Sequence, residues 1–163
     1  MKKMIAEVYK RPSNSLGIGF YCLEDDGTPV YAITETLLDL IEQSTPRHDR
    51  ELEELVLQAE AGKYISPNLA LPDFGANETN IWLTPPMAKP GCVCISNEDT
   101  VYARYDEEED EPPQKGEGPQ QFTYEQFKAA LAYWRQFRQK VDREGRENLV
   151  GKRFEAVFPE AAR

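Results

Sequence analysis

Thr123 and Gln126 stand three residues apart just ahead of a run in which Phe127, Leu131, Trp134 and Val141 recur at helical spacing. T-x-x-Q is a capping box: the threonine hydroxyl accepts from the third helical N–H, and the glutamine side chain reaches back to the cap. Phe122 before the cap and Phe127 after it have the spacing of a hydrophobic staple, and Ala130 and Phe137 widen the apolar stripe. Lys140 and Arg143 suit the negative end of a helix, and Gly145 supplies the residue that leaves it. The spacing therefore predicts a helix over about 124–144. Its apolar face must be buried against another layer.

That layer is read from the rest of the chain as sheet. Residues 4–9 are a short apolar-rich run. In Leu16 to Leu23, Ile18, Phe20 and Cys22 alternate with Gly19, Tyr21 and Leu23, and Asp25-Asp26-Gly27 then signals a turn. Residues 30–33 read as the returning strand of a hairpin lying inside the sheet, since both faces carry apolar groups. Residues 91–96 and 100–105 read as a second hairpin around Asn97-Glu98-Asp99, and residues 80–84 as a short strand ended by Pro85-Pro86. Thr34 or Thr36 can cap a short helix carrying Leu37, Leu40 and Ile41. Thr45-Pro46 starts another, with Leu52, Leu55, Val56 and Ala59 on its inner face, Asp49, Glu51, Glu53, Glu54 and Glu60 outside, and Gly62 as its stop. Residues 65–78 look irregular. Val150, Phe154, Val157 and Phe158 suggest a tail docked on the core.

Strands come in adjacent pairs without steady βαβ alternation. The expected class is α+β: an antiparallel or mixed sheet built from two hairpins and packed by about three helices. At 163 residues, 40% of them apolar, the chain is expected to form one domain over 1–163. Residues 106–119 break the pattern. Asp106, Glu107, Glu108, Glu109, Asp110 and Glu111 are consecutive, and prolines, glycines and glutamines follow. Like charges this dense repel one another, so a flexible acidic loop or linker is expected.

Charge narrows the function classes. The net charge is −10, and it is uneven: residues 1–121 carry 10 basic and 23 acidic side chains, whereas residues 122–163 carry 9 and 6. An acidic protein is repelled by nucleic acid and by anionic membrane surfaces and attracts basic proteins. No stretch approaches the roughly 18 apolar residues that span a bilayer. Glu7 interrupts the N-terminal apolar run, so no signal peptide is expected. Three cysteines, Cys22, Cys92 and Cys94, form no disulfide framework, and a cytoplasmic location follows.

No catalytic or cofactor constellation stands out. His48 is the sole histidine and sits in the first turn of a helix among charged neighbours, a solvated position. Cys92-x-Cys94 lacks the C-x-x-C spacing of zinc ribbons and thioredoxin sites, so the thiols read as small buried hydrophobes. Leu16-Gly17-Ile18-Gly19 lacks the third glycine and the following helix of a dinucleotide fingerprint, and close strand packing explains its glycines better. Glu7 and Glu35 have apolar neighbours, as an acid–base carboxylate needs, and the 106–111 run lacks the spacing of a calcium loop. Neither a metal nor a cofactor is expected.

The leading expectation is a protein-binding inhibitor of the immunity-protein type that neutralises a basic partner such as a bacterial toxin nuclease. Nucleases that bind phosphate are commonly basic, and an acidic inhibitor gains encounter rate and blocks the substrate site. The expected contacts are Asp106 through Glu111 with Glu98 and Asp99, and with Tyr102 and Tyr105 as aromatic anchors. A small carboxylate-dependent enzyme is one alternative. An acidic nucleic-acid mimic that blocks a DNA-binding protein is another.

Overall fold

A computed structural model describes residues 1–30, 33, 34, 36, 37, 45–76, 79–96 and 118–161. Two antiparallel sheets and two long helices are found among them. In the first sheet β1 (Lys2–Lys10) lies between β2 (Leu16–Leu23) and β7 (Arg153–Phe158). Met4, Ala6 and Val8 alternate onto its buried face. Their cross-strand partners are Cys22, Phe20 and Ile18 on one side, and Ala156 and Phe154, opposite Met4 and Ala6, on the other. The same alternation that spells a strand in sequence thus builds one wall of the core.

The second sheet runs β3 (Phe74–Ala76), β4 (Thr79–Trp82), β5 (Cys92–Ser96), β6 (Gln120–Thr123). Ile81, Val93, Ile95 and Phe122 face inward. The chain passes from β6 directly into α2 (Tyr124–Glu144), and the capping box is complete: Gln126 N–H donates to Thr123 Oγ1 at 3.1 Å and Thr123 N–H to Gln126 Oε1 at 3.0 Å. Phe127, Ala130, Leu131, Tyr133, Trp134, Phe137 and Val141 are all buried, and Gly145 leaves the helix at φ 84°. α1 (Pro46–Glu60) starts as expected, with Thr45 Oγ1 accepting from His48 N–H. One continuous hydrophobic cluster draws on both sheets and both helices.

The two helices are tied by three acid–base pairs: Arg138 Nη1 to Asp49 Oδ2 at 2.8 Å, Arg135 Nη2 to Glu53 Oε2 at 2.5 Å, and Lys128 Nζ to Glu60 Oε2 at 2.7 Å. As numbering rises along α1 it falls along α2, so the helices run antiparallel. Asp49, expected on the outer face of α1, is instead buried at 3% exposure. A carboxylate is buried there because the Arg138 guanidinium pairs with it.

Other expectations are corrected. β2 pairs along its length with β1, and the returning strand at 30–33 is reduced, among the described residues, to a bridge between Leu23 and Pro29 and one bond from Val30 N–H to the Cys22 carbonyl. Among the described residues β2 is therefore an edge strand and β1 the centre, since the C-terminal segment adds β7 on the far side of β1. Phe158 docks in the core, whereas Val150 and Val157 are exposed at 38% and 54%, since period-2 alternation along β7 turns Val157 away from the buried face. β5 pairs with β4 and β6; its expected partner at 100–105 lies outside the described residues. So do Leu40 and Ile41 of the predicted short helix and 106–117 of the predicted linker, while Thr36 and Leu37 are buried.

Candidate functional site

The three helix-crossing pairs occupy Asp49, Glu53 and Glu60. Glu51 and Glu54 remain on the other side of α1, and there they meet the chain returning from α1 to the second sheet. That return is organised by Asp73. Its Oδ1 accepts from the Tyr64 hydroxyl at 2.8 Å and the Ser66 hydroxyl at 2.6 Å, and its Oδ2 accepts from Leu83 N–H at 2.8 Å. Three donors converging on one carboxylate fix the loop that carries it. Burial and the neighbouring Asp73 carboxylate push the Tyr64 phenol up to about 12.

Between α1 and β3 a groove of about 500 Å³ is lined by Glu51, Glu54, Gln58 and Asp73, with Leu55 and Phe74 as its apolar part. Arg47 Nε donates to Glu51 at 3.1 Å in an exposed pair, which leaves the net charge of the groove negative. Glu54 is exposed. His48 packs edge-on against Phe74, with centroids 6.1 Å apart, and its Nδ1 is buried without a hydrogen-bond partner among the described residues. The histidine read as solvated is therefore half-buried, because Phe74 covers it.

Carboxylates beside an aliphatic side chain and an aromatic ring match a lysine or arginine. The methylene stem of such a residue rests on apolar surface, while its cationic head meets the carboxylates and the ring. Among the described residues no group of three or more His, Cys, Asp or Glu side chains is placed to hold a metal ion.

Every contact residue expected from sequence, Glu98, Asp99, Tyr102, Tyr105 and Asp106 through Glu111, lies outside the described residues, as does Glu35. What flanks the acidic segment is defined. β5 ends at Ser96, β6 begins at Gln120, and Ile95 pairs with Gln120, so both ends of the segment are fixed at one end of the second sheet. Glu7 is ion-paired with Arg153 on the exposed side of the first sheet. Cys22 and Cys94 are buried free thiols, and Cys92 is half-buried. Burial pushes the Cys22 thiol up to about 11 and raises that of Cys94, which disfavours the reactive thiolate. Gly17 is where a strand glycine admits close packing: a Cβ there would lie 2.6 Å from Tyr9 Cζ.

Glu51 and Glu54 were legible as exposed helix acids. Asp73 was not, since it lies in a segment without periodicity, and no sequence signal joins it to Tyr64, Ser66 and α1. No protein-family model, no curated protein and no solved structure matches the chain. Among the described residues no helix is long and apolar enough to cross a membrane.

Proposed function

We propose that this is a binding protein that neutralises a basic protein partner, in the manner of an immunity protein against a toxin nuclease. The observation that carries the reading is the α1–β3 groove, in which Glu51, Glu54 and Asp73 gather beside Leu55 and Phe74. It suits a lysine or arginine that anchors the partner once encounter has occurred.

Charge distribution supports the same reading. Residues 97–117 contain nine acidic and two basic side chains, a net −7 of the chain's −10. On the helix face that meets α2, by contrast, Asp49, Glu53 and Glu60 are matched by internal partners. A field concentrated on one segment speeds the approach of a basic surface, and the groove then sets residence time. We assign Asp106 through Glu111, Glu98 and Asp99 to encounter, and Tyr102 and Tyr105 to aromatic anchoring. The continuous core supports one domain, and the free thiols support a reducing, cytoplasmic setting.

Affinity capture from the native host tests the reading, with wild-type protein, a Glu51→Lys/Glu54→Lys variant and a variant with serine and asparagine over 106–111. The wild type should retain a strongly basic protein at low salt that both variants retain less. Equal retention of the same proteins by all three would refute the assignment.

A further inference from the structure

Between α1 and β3 the chain passes through residues 64–72, which carry no charge in a protein of which 29% is Asp, Glu, Lys and Arg. Three large apolar side chains of this loop face water: Ile65 is 85% exposed, Leu69 59% and Leu71 58%. Exposed apolar side chains are ordinary when scattered singly. Among the described residues, no other stretch of seven exposes more than one large apolar side chain.

The loop is held in that form. Tyr64 and Ser66 both donate to Asp73 Oδ1, at 2.8 and 2.6 Å, and so close its two ends on each other. Ile65 stands between two side chains turned toward Asp73 and is itself turned outward. Further on, Asn68 makes an Asx turn: its Oδ1 accepts from Ala70 N–H at 2.9 Å, and its carbonyl accepts from Leu71 N–H at 3.1 Å. The loop is thus ordered before any partner arrives, which lowers the entropic cost of binding. Asp73 also lines the acidic groove with Glu51 and Glu54, so the carboxylate that closes the loop sets it beside those acids.

We infer that Ile65, Leu69 and Leu71 form the apolar half of the partner-binding surface, and that the partner presents a lysine or arginine next to a cluster of apolar side chains. The inference rests on the reading of the groove as a cation anchor and adds the chemistry of the surface around that cation. Charge selects this occupant. A second copy of the chain, docked by the same face, would set Glu51 and Glu54 against their own equivalents, and a protein of net charge −10 is repelled by an anionic bilayer. A basic surface is attracted by the acids, and the loop then excludes water around the cation's contact.

Fluorescence anisotropy with labelled amphipathic helical peptides tests it: one of leucine and lysine, one of serine and lysine with equal charge, and one of leucine and glutamate. The wild type should bind the leucine–lysine peptide most tightly. Ile65→Ser/Leu69→Ser/Leu71→Ser should weaken that binding roughly tenfold or more, through the loss of apolar surface to bury, and leave the serine–lysine peptide unaffected. The variant should unfold at the wild-type urea midpoint, since exposed side chains contribute little to the core. A leucine–lysine affinity no higher in the wild type than in the variant would overturn the inference. If Glu51→Gln/Glu54→Gln still weakens both lysine peptides, the groove reading survives that result; if it weakens neither, the groove reading fails and this inference falls with it. Equal binding of the leucine–glutamate peptide would reduce the loop to an unselective apolar patch. A dimer in sedimentation, or binding to phosphatidylcholine vesicles, that the loop substitutions abolish would give the surface to a second copy or to a bilayer instead.

Discussion

Replacing Arg138 with leucine tests how the two helices are joined. The Asp49 side chain is 4% exposed and its Oδ2 lies 2.8 Å from Arg138 Nη1, while its Oδ1 has no hydrogen bond among the described residues. Removing the guanidinium strands a carboxylate that water can barely reach, and breaking a buried pair on one side costs about 3–5 kcal/mol. Asp49→Leu is milder, because the Arg138 side chain is 21% exposed and can turn toward water; about 1–3 kcal/mol is expected. In Asp49→Leu/Arg138→Leu neither charge is stranded, and stability should return to within about 1 kcal/mol of wild type. Urea denaturation of the four proteins closes the double-mutant cycle. At roughly 2–4 °C per kcal/mol for a chain of this size, the Arg138→Leu melting temperature should fall by about 6–20 °C. A loss below about 1 kcal/mol for Arg138→Leu, or additive single effects, would mean that Asp49 is hydrated and that the pair contributes nothing to helix docking.

Trp134→Ala should cost about 3–5 kcal/mol in urea unfolding, since the ring is 6% exposed and packs on Phe20 and Phe137; an unchanged midpoint would mean that the α2 stripe is a surface. The Cys22 thiol is raised from about 9 to about 11 in the folded protein. The unfolded chain therefore loses this proton at lower pH, and the stabilisation present below pH 9 drains away as pH rises toward 11. Cys22→Ala should flatten the stability–pH curve in that window, and an unchanged slope would exclude the thiol as its source. Elemental analysis of purified protein should find no stoichiometric zinc; one zinc per chain, lost on mutating Cys92 and Cys94, would overturn the reading of those thiols as packing groups.

Elements whose signals are local were legible in the sequence. The capping box at Thr123 and Gln126 marks the start of α2, and Thr45-Pro46 marks that of α1, because a cap is a short-range device. Long-range pairings were not legible. In residues 153–158 Val157 breaks the polar–apolar alternation that would announce β7, yet the addition of that strand makes β1 a central strand. The charge asymmetry between the first 121 residues and the rest was visible, but its meaning is partly internal. Asp49, Glu53, Glu60 and Glu7 pair with Arg138, Arg135, Lys128 and Arg153 of the C-terminal region. Acids at 49 and 53 on a helix look alike in sequence, and only the crossing helix decides which is buried. The same holds for the α1–β3 groove, where Glu51 and Glu54 were readable and Asp73 was not.

The measurement that bears most directly on partner binding is the association rate with the basic protein captured on the wild-type chain, followed by stopped flow at two ionic strengths. Replacing the six acids at 106–111 with serine and asparagine should slow association about tenfold or more at low salt, and far less near 1 M salt, where the field is screened within about 3 Å. Dissociation should change little. Glu51→Gln/Glu54→Gln should chiefly speed dissociation, because groove contacts form after encounter. An association rate indifferent to both salt and the 106–111 substitutions, with dissociation indifferent to Glu51 and Glu54, would contradict the account.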